Sequence, residues 1–356
     1  MSEDTTCAVV VTYNRKELLI ECLESLRKQT KPLNAIYIID NASTDGTPNL
    51  LLEKEFIEKL PPDKLDHNWG KCFLTTSSVD KSEIKIYYVR MCENTGGAGG
   101  FYEGVKRAYE EGYDWIWLTD GDTSHNSNLL ERFSVYFKRE DLSALTNKVI
   151  DTSDKILIKT AGNLNFNGIK YPINILKPVE EKEYEKDSVH EIELATFVSL
   201  LVNRKAVEEV GFPKKEFFIH FDDWEFCLRL LKFGKIFLIT DCASMHKELP
   251  QKPVIHNNKK KFLEKKFLGN VYLRPTLDNL SFTYFDIRNL TWTTKTHCPK
   301  GLFYRLLFTV FIKDIIAIIL FDNEKIIRIK FTSNAYIDGF RGIFDNKKPK
   351  KLLYNK

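Results

Sequence analysis

Apolar positions along this chain follow two rhythms. Short apolar runs, "CAVVVT" (7–12), "AIYIID" (35–40), "EIKIYYVRM" (83–91) and "WIWL" (115–118), alternate with stretches whose apolar residues recur at helical spacing. A short run rich in β-branched residues predicts a strand buried on both faces. In "RKELLIECLESLRKQT" (15–30), Leu19, Cys22, Leu23 and Leu26 share one helical face. Turn and capping residues in "STDGTPNLLLEKEFIEKL" (43–60) lead into a second helix, and "GGFYEGVKRAYEEG" (99–112) predicts a third. The span from Pro61 to about Lys81 reads as a polar excursion. Strand alternating with helix predicts an α/β fold, a mostly parallel sheet wrapped by helices. Ligands of such sheets gather at the carboxyl ends of the strands. Thr12, Asp40, Asn94 and Asp120 all fall at such ends.

Beyond residue 123 the rhythm loosens. A helix is predicted near 128–140, the region 141–190 is mixed and polar, and "IELATFVSLLVN" (192–203) predicts a strand returning to the core. "DDWEFCLRLLKFG" (222–234) places Trp224, Cys227, Leu228 and Leu231 at helical spacing, with Gly234 as a stop. A lysine-rich segment after about residue 250 leads into a helical appendage. There "GLFYRLLFTVFIKDIIAIILF" (301–321) is the most apolar stretch, interrupted by Arg305, Lys313 and Asp314. A spanning helix needs about 20 residues with few or no charges. A core helix and an interfacial helix fit the pattern equally. The tail "FRGIFDNKKPKKLLYNK" (340–356) is basic, with apolar residues between the charges.

Bulk properties narrow the function classes. A chain of 356 residues predicts one large domain plus an appendage. With 43% hydrophobic and 29% charged residues it has the make-up of a soluble globular protein, and a net charge of +4 is too small to argue for nucleic acid. The amino-terminal "MSEDTTCAVVVTYN" has acids where a secretory signal needs bases. Seven scattered cysteines without a Cys-x-x-Cys pair argue against a zinc knuckle or a disulfide framework. The expected compartment is the cytoplasm.

The chemistry concentrates at three places. In "DWIWLTDGDT" (114–123) an apolar strand runs into Asp120 and Asp122. Two carboxylates one residue apart can grip a divalent cation; the plain alternative is a solvated Asp–Gly turn. A calcium loop is excluded, because its sixth position, which requires glycine, is His125. "ENTGGAGG" (93–100) is a glycine-dense link between strand and helix that lets backbone approach phosphate or sugar. It is not a G-x-G-x-x-G motif, since the last position is Tyr102, and the first strand–helix turn "TYNRKE" has no glycine. "FFIHFDDWEFCLRL" (217–230) carries adjacent Asp222 and Asp223, one a candidate helix cap and one a candidate general base. His246 follows the strand-like "KIFLIT" and, beside a cation, would be a third ligand.

Taken in order, strand–"TYNR", strand–"DNAST", "NTGGAGG", "DGD", "DDWE…R" and a later histidine resemble the inverting family 2 glycosyltransferases of GT-A fold, over roughly residues 5–250. "NTGGAGGFYEG", "WIWLTDGDT" and "FFIHFDDWEFCLR" are most similar to bacterial galactofuranosyltransferases and the neighbouring rhamnosyltransferases. The resemblance implies a catalytic domain over 1–250, with a nucleotide-sugar half (1–123) and an acceptor half (124–250), followed by a mainly helical region (251–356). By the same resemblance Thr12, Tyr13 and Arg15 flank the nucleotide, and Asp40 accepts from the base. Asn94, Gly96 and Gly97 line the diphosphate–sugar region. Asp120 and Asp122, with His246, hold Mn²⁺ or Mg²⁺. Asp223 is the general base, with Asp222, Trp224 and Glu225 shaping the acceptor pocket. One departure stands out: the galactofuranosyl relatives carry three consecutive aspartates where this chain has Gly121 in the middle. "YFDIRN" (284–289) also resembles a Tyr–Arg–Asn feature that follows the catalytic domain in these relatives.

The expected activity is transfer from a nucleotide-sugar donor to a glycan acceptor, itself lipid-linked, in cell-surface polysaccharide assembly. UDP-galactofuranose is the first donor choice, dTDP-rhamnose the second and UDP-hexopyranoses the third. The appendage would touch the anionic inner face of the cell membrane peripherally. A nucleotidyltransferase would carry a glycine-rich signature after the first strand, which "TYNRKE" lacks. A non-catalytic glycan- or nucleotide-binding scaffold is the non-enzymatic alternative.

Overall fold

A computed structural model describes residues 4–165, 176–185, 189–247, 262–267 and 270–354. In chain order the first half runs β1 (Thr6–Thr12), α1 (Lys16–Arg27), β2 (Ala35–Asp40), α2 (Thr47–Glu53), β3 (Trp69–Thr76), β4 (Glu83–Arg90), α3 (Gly96–Glu111) and β5 (Trp115–Asp120). Then come β6 (Thr123–His125), α4 (Leu129–Ser134), β7 (Leu142–Ile150), β8 (Ala161–Leu164), β9 (Leu176–Pro178), β10 (Val189–Ile192), β11 (Leu194–Ala195) and β12 (Leu200–Asn203). The rest is α5 (Arg204–Val210), α6 (Asp222–Leu230), β13 (Lys235–His246), β14 (Phe262–Phe267), β15 (Asn270–Pro275), α7 (Leu280–His297), α8 (Lys300–Phe321), α9 (Lys325–Arg341) and α10 (Lys348–Tyr354).

The main sheet has the order β10-β13-β7-β12-β5-β1-β2-β4-β3, with β6 paired to β13. Strands β4, β2, β1 and β5 are parallel, so the ends of β1, β2 and β5 bring Thr12, Asp40 and Asp120 to one edge. Strand β12 is antiparallel to both β5 and β7, and β13 is parallel to β7. Strand β13 therefore runs in the same sense as β5 and delivers His246 to that same edge.

The unbroken apolar runs serve two cores. From β1, Cys7, Val9 and Val11 join one cluster with Phe101, Val105 and Ala108 of α3 and Phe226, Cys227 and Leu230 of α6. Ala8 and Val10 join the opposite cluster with Leu19, Cys22, Leu23 and Leu26 of α1 and Leu129, Leu130 and Phe133 of α4. Helix α3 lies on β1 without room for a methyl group between them. A Cβ on Gly104 would sit 2.2 Å from Val9 Cγ1, and one on Gly100 would sit 2.6 Å from Val11 Cγ1.

Several sequence expectations change here. The polar excursion holds β3, an edge strand antiparallel to β4 whose outer positions are exposed. The mixed region after 141 begins with β7, a strand well inside the sheet. The single strand expected over 192–203 is divided among β10, β11 and β12, and the helix expected over 128–140 is the six-residue α4. Helix α3 starts at Gly96, so most of the glycine-dense segment is helix.

The chain divides into two compact units. Residues 216–222 group with the region after 250, and the neighbouring 176–215 and 223–249 group with the amino-terminal sheet. In the second unit, Leu280 and Tyr284 of α7 pack on Phe331 and Ala335 of α9. Asp338 accepts from Tyr284 Oη at 2.6 Å and from Lys348 Nζ at 2.7 Å, and Asp322 takes a bidentate pair from Arg274 at 2.8 and 2.7 Å. The apolar stretch expected over 301–321 is α8. It buries Phe303, Leu306, Val310, Ala317 and Ile318, and leaves Tyr304, Phe308, Ile312, Ile316, Ile319 and Leu320 exposed. Among the described residues no helix is long and apolar enough to cross a membrane.

Candidate active site

At the carboxyl edge of the sheet, ligand atoms of Asp120, Asp122 and His246 lie within 4.8 Å of one another. Sequence places His246 more than 120 residues from the acidic pair; pairing in the sheet closes that gap. Strand β13 breaks register with β7 between Ile239 and Ala243, then pairs with β6 so that His246 faces Thr123. The residue before Thr123 is Asp122, and its carbonyl accepts the Lys247 N–H at 3.0 Å.

Asp122 is fully buried. Its Oδ2 accepts from Arg15 Nη1 at 2.5 Å, while Oδ1 accepts no aligned hydrogen bond among the described residues. The His246 Nε2 stands 3.2 Å from Oδ1 as its ion-pair partner. A buried carboxylate is costly unless cationic or donating groups complete it, and here Arg15 and His246 face its two oxygens. Burial, and then the Asp122 charge, push the Asp120 carboxyl up to about 6, against the pull of His246 and Arg15. Burial draws the His246 imidazole down, and the neighbouring Asp122 and Asp120 carboxylates outweigh it, so its pKa is raised. Two carboxylates that repel and an imidazole drawn to them form a donor set of hard oxygens and one nitrogen, suited to Mn²⁺ or Mg²⁺.

Gly121 fits this turn for a steric reason. Its N–H bonds Val11 O at 2.9 Å, and a Cβ there would meet Thr12 Cβ at 3.0 Å and Val11 O at 3.1 Å. A middle aspartate would therefore press on the end of β1, which would have to give by a few tenths of an ångström.

Beneath the triad, His125 is anchored from both ring nitrogens. Thr119 Oγ1 donates to Val198 O at 2.9 Å, so it accepts from His125 Nε2–H at 3.0 Å. That leaves Nδ1 to accept from Ser244 Oγ at 2.8 Å, and Ser244 in turn accepts from Asn147 Nδ2 at 2.9 Å. Burial holds this imidazole down at about 3, so it is neutral. The chain ties β5, β6, β7 and β13 together two residues from His246.

The remaining predicted residues sit as follows. Tyr13 is exposed, and Thr12 is buried with its hydroxyl unpaired among the described residues. Arg15 caps α1 and turns to Asp122. Asp40 is fully buried: Oδ1 accepts from Ser43 N at 2.9 Å, and Oδ2 accepts from Tyr88 Oη at 2.8 Å and Arg90 Nη1 at 2.6 Å. Its carboxylate braces the β2 end against β4. Asn94 Oδ1 accepts from Gly96 N at 2.8 Å, Gly96 opens α3, and Gly97 has open space where a Cβ would stand. Asp223 Oδ1 accepts from the Trp224 N–H at 2.7 Å at the start of α6. Asp222 is buried beside it in sequence. Glu225 is buried and grips Arg229 through contacts of 2.8 to 3.1 Å, which gives it a structural partner inside the helix.

Asn41 is the residue that sequence reading passed over. Its Oδ1 accepts from Thr95 N at 3.0 Å, and its Nδ2 donates to Gly96 O at 2.8 Å. It splints the "NTGG" turn onto the end of β2. The available signal was a second polar residue directly after a buried strand, in "IIDN".

Comparison with known proteins now bears on this geometry. Residues 7–71 match the family model "Glycosyl transferase family 2". The chain is 25% identical over 236 residues to galactofuranosyltransferase GlfT1 of Mycolicibacterium smegmatis, covering 65% of this chain and 67% of that one. It is 26% identical over 339 residues to dTDP-rhamnosyl transferase RfbF of Shigella flexneri, covering 94% and 95%. Among solved structures, S. aureus TarS 1-349 in complex with UDP aligns with a TM-score of 0.52 and 13% identity over 98% of this chain and 86% of that one, a likeness of fold. Family model, relatives and fold agree: residues 7–71 match the family 2 glycosyltransferases, the similar proteins are glycosyltransferases, and the chain has the GT-A fold.

Proposed function

We propose that the protein is a metal-dependent, inverting transferase that moves galactofuranose from UDP-galactofuranose to a hydroxyl of a growing, lipid-linked cell-surface glycan. The observation that carries this reading is the convergence of ligand atoms from Asp120, the buried Asp122 and His246 within 4.8 Å. A divalent cation held by those three side chains would supply positive charge against the diphosphate leaving group. Arg15 adds a permanent positive charge at the same carboxylate. The first turn of α3, with Gly97 open and Asn41 and Asn94 fixing its entry, receives the diphosphate–sugar region.

Asp223 accepts the proton of the attacking hydroxyl. The new bond forms between that oxygen and the anomeric carbon as the bond to the diphosphate oxygen breaks on the opposite face. The proton ends on the Asp223 carboxylate, the electron pair on the diphosphate, and the anomeric centre is inverted. Trp224 N–H fixes one oxygen of Asp223, which orients the carboxylate for this step.

A second donor reading, dTDP-rhamnose, is favoured by one relative and one contact. RfbF aligns along 94% of this chain, and Gly121, close against the end of β1, leaves this turn without a middle carboxylate. The exposed stripe of α8, with Lys300, Arg305 and Lys313 on the same helix and the lysines of α10 following, supports peripheral attachment to anionic lipid at the inner face of the membrane.

The test is incubation with Mn²⁺ and UDP-galactofuranose, dTDP-rhamnose or a UDP-hexopyranose. The true donor releases nucleoside diphosphate slowly. General-base help is worth about 10²–10⁴-fold, so Asp223→Asn should lose about that factor in release while still binding donor. Pyrophosphate release would indicate nucleotidyl transfer, and no release from any donor a scaffold; either outcome overturns the reading.

A further inference from the structure

The segment entering α6 is built against the grain of its sequence. Phe218, His220 and Phe221 have φ of 67°, 67° and 64°, three bulky residues out of four in the left-handed region. Such a backbone persists only where its surroundings over-determine it.

Two adjacent residues of α7 contribute to this. Asn289 Nδ2 donates to the carbonyls of Phe217, Ile219 and His220 at 3.0, 2.9 and 2.9 Å. Its Oδ1 accepts from Arg288 Nε at 3.0 Å, which fixes the amide so that its donors face the loop. Arg288 Nη2 donates to Phe217 O at 3.0 Å, and its Nη1 to Asn346 Oδ1 at 2.9 Å. Both side chains are fully buried. Ring contacts reinforce the grip: Phe217 packs edge-on to Trp292 and tilted on Phe344, each at 5.6 Å, and Phe218 lies 5.1 Å from Phe285. Further along α7, Asp286 Oδ1 meets His220 Nδ1 at 2.5 Å. These contacts give the "YFDIRN" segment a purpose that composition did not reveal.

From Phe221 the chain passes without a spacer into Asp222 and Asp223, the first residues of α6. We infer that Arg288 and Asn289 are positioning residues for the general base: by holding the 217–221 backbone in its left-handed turn, they set the direction in which Asp223 leaves the loop. This inference rests on the reading of Asp223 as that base. Aspartate at 289 matches asparagine in shape but cannot donate to three carbonyls, so Asn289→Asp removes the clamp with no change in volume.

The experiment compares full-length Asn289→Asp, Asp223→Asn and the double variant, reading diphosphate release from UDP-galactofuranose and from dTDP-rhamnose in Mn²⁺. Expected is a loss of at least tenfold in kcat for Asn289→Asp, with donor KM within about twofold. The double variant should be no slower than Asp223→Asn alone, because the clamp acts through Asp223. Full kcat in a folded Asn289→Asp overturns the inference, as does a double variant in which the two losses multiply. If Asn289→Asp does not fold, Asn346→Ala, which removes only one anchor of Arg288, is read by the same criteria with a several-fold loss expected. Normal turnover of Asp223→Asn would instead overturn the base assignment itself; an inactive Asp223→Asn beside a fully active Asn289→Asp overturns the clamp alone.

Discussion

Asp122→Asn probes the candidate cation site with the least change in shape. The carboxamide keeps an oxygen at the site but removes one charge from a fully buried position. Taking the 4.8 Å span of the triad as the separation, a +2 charge and one carboxylate attract by about 7 kcal/mol at an effective dielectric of 20. The retained amide oxygen, and release of the Arg15 charge that competes for Asp122, offset more than half of this. The net loss is about 3 kcal/mol, or about 100-fold in Kd. The fold itself should survive. Arg15 is 39% exposed, so its pair with Asp122 is screened and contributes about 1 kcal/mol or less. Removing one of two mutually repelling carboxylates offsets that loss. The assay is thermal unfolding with and without Mn²⁺. At a concentration about 100 times Kd, wild type gains about 2.7 kcal/mol, near 4 °C in midpoint. At that same concentration the variant should gain about 0.4 kcal/mol, under about 1 °C. A variant that keeps the full Mn²⁺ shift would refute the reasoning.

Two further predictions use different physics. His125 is buried neutral at about 3, against about 6.5 when unfolded, so its contribution is complete above pH 6.5 and is lost as pH falls from there toward 3. At pH 5 the loss is about 2 kcal/mol relative to pH 8; urea unfolding should show it in wild type and not in His125→Gln, and equal slopes would contradict the buried-neutral assignment. Phe308, 70% exposed on α8, should anchor the protein to liposomes of anionic lipid, and Phe308→Glu should cut co-sedimentation at low salt several-fold, whereas unchanged binding would remove α8 from the membrane account.

The parallel centre of the fold was legible because its strands are buried on both faces, which forces continuous apolar runs such as "CAVVVT" and "AIYIID". Strand β7 was hidden because "LSALTNKVI" buries Ser143, Thr146 and Asn147. Their polar groups are satisfied by Lys235 O, Ser199 O and Ser244 Oγ, partners some 50 to 100 residues away that no local window contains. The glycines after Asn94 look like a loop by propensity, since glycine disfavours helix interiors. Contact of α3 with β1 overrides that preference at Gly100 and Gly104. The order of motifs points to Asp120, Asp122 and His246, and the sheet pairing gathers them. What the order of motifs concealed was pairing at a distance: Arg15 turned to Asp122, Asp40 saturated by Tyr88 and Arg90, and Asn41 bracing the turn before α3.

The account depends on a divalent cation seated at the carboxyl edge of the sheet, and anomalous diffraction tests that directly. Crystals of the full chain grown with Mn²⁺ and UDP-galactofuranose should show a manganese peak bonded to Asp120, Asp122 and His246. A peak elsewhere, with those three side chains bonded only to protein and water in a donor-bound structure, would contradict it.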